Sequence, residues 1–158
     1  MGMRSRGMRL RTPTVLLVDD EASIHFTVGL FLREAGYFVD TAIDGRDGLR
    51  KFHAGSWDLV ITDLAMPGMG GEEFAQEIRK ISPEVPVILI TGCLTPDTHL
   101  NLFNDVLEKP FSERSLLATV ERVLAATHDT KPSRVADASM KGFGSSYSDR
   151  EQSGCRLH

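Results

Sequence analysis

The chain is poor in cysteine, in aromatic residues and in long apolar runs, and each shortage excludes a class of protein. Its two cysteines, Cys93 and Cys155, stand far apart with no metal-ligand partner at short spacing, so neither a disulfide framework nor a zinc site is indicated. A reducing, cytoplasmic setting is expected, with Cys93 a plain loop residue. The first twelve residues hold Arg4, Arg6, Arg9 and Arg11, but the apolar run behind them covers only Val15 to Asp19 and ends in acid, so neither a signal peptide nor a membrane association is expected. A positive globular surface is missing too. The net charge of -4 splits into +4 over residues 1–12, +1 over residues 128–158 and -9 over residues 13–127, so no nucleic-acid partner is expected for the central part. Single histidines in helical segments, His25 and His53, have no second ligand at metal spacing and read as surface or cap residues.

The residues that are present suffice for one core. At 158 residues and 41% hydrophobic content, the chain reads as a flexible basic arm (1–12), one domain (13–127) and a disordered polar tail (128–158). That tail is too short and too polar for a DNA-binding or catalytic output module, so a stand-alone unit is expected.

Within residues 13–127 strand and helix patterns alternate. Segments 14–18, 57–62 and 86–91 are short runs of branched apolar residues, as expected of parallel strands covered on both faces, with Trp57 opening the second of them. Segments 38–42 and 105–109 are more mixed and suit strands nearer the sheet edge. Helical spacing links Ile24, Val28, Phe31 and Leu32, then Leu49 and Phe52 within 45–54, then Phe74, Ile78 and Ile81, then Leu116, Val120, Val123 and Leu124. Gly36 is placed to stop the first helix, Ser82-Pro83 to close the third and Ser112 to cap the last. Thr95-Pro96 predicts a further short helix over 96–103. The sum is a β-α unit repeated about five times: an α/β, doubly wound parallel sheet whose ligands bind beyond the carboxyl ends of its strands.

Charged and hydroxyl residues stand at those ends. Asp19 and Asp20 close the first strand, Asp63 the third, Thr91 the fourth and Lys109 the fifth. Converging carboxylates repel one another and attract a divalent ion, and an oxygen-only donor set favours Mg2+. With repulsion cancelled, a carboxylate can take a phosphoryl group as an acyl phosphate, while Lys109 and Thr91 offer an ammonium and a hydroxyl to phosphoryl oxygens.

These fragments, Asp19-Asp20-Glu21, Asp63 through Gly68, Thr91-Gly92 and Lys109-Pro110-Phe111, together resemble the receiver domain of two-component response regulators over about residues 13–127. The resemblance implies a flavodoxin-like five-stranded sheet of order 2-1-3-4-5 with about five helices. It implies Asp63 as phosphoacceptor, and Mg2+ held directly by Asp20, Asp63 and the backbone carbonyl of Ala65, with Asp19 acting through water. It further implies Thr91 as switch hydroxyl, Lys109 as partner cation and a cis bond to Pro110. A sensor histidine kinase or a histidine phosphotransfer protein would supply the phosphoryl group. An unknown downstream protein would read it, homodimers would form on phosphorylation in some members, and the chain would be a switch rather than an enzyme.

Two departures stand out. Where receivers usually have Tyr or Phe, three residues before the lysine, this chain has Val106, and the stretch between Thr91 and Lys109 is short. They motivate a second reading, a docking module indifferent to phosphorylation. An aspartyl-nucleophile phosphatase of the haloacid dehalogenase type would want a second aspartate two residues after the first, where Ala65 stands.

Overall fold

A computed structural model describes residues 11–129. The elements run β1 (Thr14–Val18), α1 (Ala22–Glu34), β2 (Phe38–Ala42), α2 (Gly45–Ala54), β3 (Leu59–Asp63), α3 (Gly71–Ile81), β4 (Val87–Thr91), a 3-10 turn (Leu100–Leu102), β5 (Asp105–Glu108) and α4 (Glu113–Asp129). The strands form one parallel sheet in the order β2-β1-β3-β4-β5. This is the flavodoxin-like order expected from the sequence, and the two mixed strands are the edges.

Strand side chains alternate between faces, so each central strand feeds two cores. Val15, Leu17, Leu59, Ile61, Ile88 and Ile90 pack with Val28 and Leu32 of α1 and Leu116 and Val120 of α4. Leu16, Val18, Val60, Val87 and Leu89 pack with Phe52 of α2 and with Phe74 and Ile78 of α3. Continuous apolar runs in β1, β3 and β4 are thereby explained: both faces of these strands are covered.

The helix ends follow local chemistry. Gly36, at φ +97°, closes α1 with its N–H on the Arg33 carbonyl, while Tyr37 N–H reaches the Leu32 carbonyl, both at 3.0 Å. That left-handed residue favours glycine. Ser112 Oγ accepts from Ser115 N–H at 3.0 Å ahead of α4, and Ser82 caps α3. Asp44, which stands outside the apolar periodicity, caps α2 by accepting from Asp47 N–H at 2.8 Å.

Both free sheet edges are blunted by polar side chains. On β2, Arg33 Nη2 donates to the Val39 carbonyl at 3.1 Å and Lys51 Nζ to the Thr41 carbonyl. On β5, Asp105 accepts from Val106 N–H at 2.8 Å and pairs with Arg122. Such plugs discourage pairing with another chain.

Two expectations need correction. No α-helix lies between β4 and β5, so there are four α-helices and one 3-10 turn among the described residues. Thr95 N–H donates to Thr98 Oγ1 at 3.2 Å and the two hydroxyls lie 3.1 Å apart, offering the backbone a turn in place of a helix. The third strand begins at Leu59, not Trp57, because Trp57 Nε1 donates to the Lys51 carbonyl and the Asp58 carboxylate is taken by Thr14 N–H at 2.8 Å. At the boundaries, α4 runs to Asp129, and Arg11 is tied to Asp58 by an ion pair. The rest of the expected arm and tail lies outside the described residues.

Phe74 is fully buried against the α2/α3 face. Phe74→Ala is expected to lower stability by about 3–5 kcal/mol through the cavity it leaves, read as a lower urea midpoint at unchanged slope.

Candidate functional site

Parallel register decides which side chains meet. Val18 is paired with Thr62, so Asp19 and Asp63 follow at the same level of adjacent strands; Thr91 pairs with Glu108, so Lys109 follows directly. Asp19, Asp63 and Lys109 continue the alternation that puts Val15, Leu17, Leu59, Ile61 and Leu107 on the α1/α4 face, and so they converge. Thr91 continues the other alternation, with Val87 and Leu89.

The convergence is close. Carboxylate oxygens of Asp19, Asp20 and Asp63 lie within 4.8 Å of one another. Lys109 Nζ stands 3.4 Å from Asp19 Oδ2, 3.5 Å from Glu21 Oε1 and 3.7 Å from Asp63 Oδ2. Asp19 and Asp63 are buried while Asp20 is exposed at the mouth. The second oxygen of each buried acid is held by backbone: Asp19 Oδ1 accepts from Glu21 N–H and Asp63 Oδ1 from Leu64 N–H, both at 2.8 Å.

Burial raises the pKa of Asp19 above the usual carboxylate value of 3.8, against the lowering effects of the Glu21 N–H and the Lys109 ammonium. Burial likewise raises Asp63, which Lys109 opposes and the charge of Asp19 reinforces. For Lys109 burial favours deprotonation, but Asp63, Asp19 and Glu21 outweigh it and its pKa is raised. One ammonium does not offset the cost of two buried carboxylates. A hard divalent cation fits this donor set, because it is all oxygen, carries excess negative charge and opens to water at Asp20.

Thr91 is buried at the end of β4. Its hydroxyl donates to the Cys93 carbonyl at 3.1 Å and accepts from Cys93 N–H at 3.2 Å. Cys93 is half-buried two residues after Thr91. Ala65 lies exposed in the loop after β3, two residues beyond Asp63. The Lys109-Pro110 peptide is cis, as the resemblance implied. His25 Nε2 lies 3.1 Å from the Ala42 carbonyl, which also accepts from Asp19 N–H at 3.0 Å.

Two residues that sequence reasoning missed also shape the site. A Cβ on Gly71 would meet the Asp63 carbonyl at 2.0 Å, while Gly71 N–H donates to the Leu64 carbonyl at 2.9 Å. Only glycine lets α3 start this close to the end of β3; the paired glycines before an amphipathic helix were the available signal. Arg79, which gathers carbonyls around the 3-10 turn, left no signal at all.

The family model for the response regulator receiver domain matches residues 15–121. The chain belongs to that family. Over 114 residues this receiver is 37% identical to the regulatory protein VanRB of Enterococcus faecalis, covering 70% of the chain and 51% of VanRB. With the probable transcriptional regulator ycf27 of Guillardia theta it shares 43% identity over 118 residues, 72% of the chain and 46% of that protein. The chain thus spans about half the length of these curated relatives. Among solved structures it resembles the Vibrio cholerae chemotaxis protein CheY4 at TM-score 0.68 and 36% identity, covering 72% of the chain and 99% of CheY4. It also resembles the Thermotoga maritima response regulator TrrA, solved in complex with Mg(2+)-BeF, at TM-score 0.67 and 36% identity, covering 71% of the chain and 99% of TrrA. Receivers act in two-component signalling and bind Mg2+ at an acidic pocket, and this receiver has the pocket. No helix among its described residues is long and apolar enough to cross a membrane.

The raised pKa values make stability depend on pH. A carboxyl whose folded pKa exceeds the unfolded value of 3.8 stabilises the fold below that value and loses this contribution as pH rises through the folded pKa. At neutral pH the ionised pair therefore weakens the metal-free protein. Asp63→Asn is expected to raise its stability at pH 7, and the gain to shrink as pH falls toward 3.8. Thermal melting of both proteins across that range, without divalent metal, measures it.

Proposed function

We propose that this receiver takes a phosphoryl group from a phosphohistidine donor onto Asp63 and is thereby switched between two partner-binding states. The observation that carries the reading is the placement of Lys109 Nζ between Asp19 and Asp63, at 3.4 and 3.7 Å, in a rim of three carboxylates. Asp63 offers one oxygen to the donor, because Leu64 N–H holds the other. As that oxygen bonds to phosphorus, the phosphorus–nitrogen bond of the donor breaks and its electron pair stays on the departing imidazole. Lys109 answers the charge gathering on the phosphoryl oxygens, and Thr91 supplies a hydroxyl once it leaves Cys93.

Asp20 and Asp63, with the backbone carbonyl of Ala65 and with Asp19 through water, are the residues that would hold Mg2+. When bound, that ion supplies the charge neutralisation that lets an anionic donor approach anionic Asp63. The donor is a sensor histidine kinase or a histidine phosphotransfer protein. A cleft of about 280 Å³ beside Lys109, lined by Ile24, Thr27, Phe31, Pro110 and Phe111, gives it an apolar seat next to the site. The product is an acyl phosphate that water later cleaves, so the chain is a switch that assists its own phosphorylation and not an enzyme that turns over a separate substrate. Its place is the cytoplasm, and its downstream target is a protein. Phosphorylated homodimers belong to the same reading.

Val106 in place of an aromatic ring, and the missing helix before it, favour the second reading, constitutive docking. Intact-mass measurement after treatment with acetyl phosphate separates the two. A single phosphoryl adduct that requires Mg2+ and is absent from Asp63→Asn is expected; a folded protein that gains no adduct would be a docking module.

A further inference from the structure

We propose that Glu72 is a positioning residue for Thr91, acting as a releasable latch on the segment that joins β4 to the 3-10 turn. This role rests on the reading of Asp63 as phosphoacceptor and concerns how that site is regulated.

The hydroxyl of Thr91 is committed to its own loop through both bonds to Cys93. Turning toward Asp63 breaks both bonds and leaves the Cys93 N–H and carbonyl to find other partners, which a shift of the following segment eases. Residues 92–99 form turns rather than a helix, so the segment is held by the points where it is tied to a neighbour and not by a regular backbone ladder. One such point is His99, whose backbone N–H donates to Glu72 Oε1 at 2.6 Å, with its ring Nδ1 3.3 Å from the same oxygen. Glu72 is the second residue of α3, and the start of α3 is locked to the Asp63 loop by the close fit of Gly71. The latch therefore joins the segment after Thr91 to the one after Asp63.

Seven residues further along α3, on the same face, Arg79 grips the other end of the segment. Its guanidinium donates twice to the Leu102 carbonyl, at 3.1 and 2.9 Å, and to Asn104 Oδ1 at 2.7 Å, while further bonds to the Pro83 and Val85 carbonyls fix its own position. The two grips differ in kind. Arg79 is anchored by several bonds and is half-buried, which makes it a hinge; Glu72 holds through one oxygen to an exposed residue, which makes it a latch. Residues 92–99 are the lever between Thr91 and the latch. This route needs no ring at position 106. It also brings Leu94, packed against the α2/α3 face, to the surface when the latch opens.

Hydrogen exchange of the full chain, with intact-mass labelling by acetyl phosphate and Mg2+ on the same samples, tests this. Glu72→Ala is expected to speed exchange over residues 92–99 about tenfold or more in the unphosphorylated protein, leaving β1 and β3 unchanged, and to speed labelling several-fold. Glu72→Gln, which keeps an acceptor oxygen, is expected to restore the wild-type values. Where loss of Glu72 disturbs folding of α3, His99→Pro replaces it: position 99 already has φ -80°, which proline accepts, and the donor N–H is removed. Exchange over 92–99 that is unaltered in these variants, in a wild type that labels, overturns the latch alone. A wild type that does not label overturns the reading of Asp63, and the latch with it.

Discussion

A single ammonium group sits among carboxylates that would otherwise repel one another: Lys109 Nζ has Asp19, Glu21 and Asp63 at 3.4, 3.5 and 3.7 Å. Everything around the rim is built to bring those groups together and to leave them under-compensated. Asp19 and Asp63 sit where two adjacent parallel strands run out at the same level above largely apolar cores, so burial is the largest cause that lifts their pKa values, with neighbouring carboxylates adding to it. Stability is given up at this rim so that a cation and a phosphoryl group can be drawn in, a common arrangement where a site stores unfavourable charge.

The rest of the fold supports that rim from below and from the sides. Two apolar layers lock the register of β1, β3 and β4, since a slip by one residue would send each strand's side chains to the wrong core. Backbone N–H groups then orient the acids, and the Gly71 contact sets the height at which α3 leaves the Asp63 loop. Polar side chains on both edge strands keep the sheet at five members. The rim can hold unfavourable charge because the layers beneath it are well packed.

Between β4 and β5 the molecule departs from a regular alternation. A helix there would have hidden its polar groups within itself; a chain of turns instead needs outside partners, and Arg79 and Glu72 of α3 provide them, while Asn104 at its end accepts from Arg79 and from Val87 N–H. The region is thus held by a few directional bonds more than by packing. A segment held in that way has discrete alternatives, which suits it to follow the hydroxyl of Thr91.

The sheet order was implied by the resemblance to receivers, and a fifth helix was expected that is not found among the described residues; the five strands, the four α-helices and the strand-end placing of Asp19, Asp20, Asp63 and Lys109 were legible in the chain itself. They depend on periodicity and on strand ends, and both are local properties that apolar runs and their bounding charges display directly. Val106 and the short stretch before it were likewise marked as unusual. Packing, by contrast, settled that residues 96–103 form turns and one 3-10 turn, because threonine hydroxyls and the reach of Arg79 from a distant helix outweigh the Thr-Pro start signal. The same holds for Trp57, drawn out of β3 by the Lys51 carbonyl, and for the need for glycine at 71, which is set by the Asp63 carbonyl passing 2.0 Å from where a Cβ would stand. Contacts between residues far apart in the chain leave no periodic trace, so side chains that act across elements become visible only when the elements are packed.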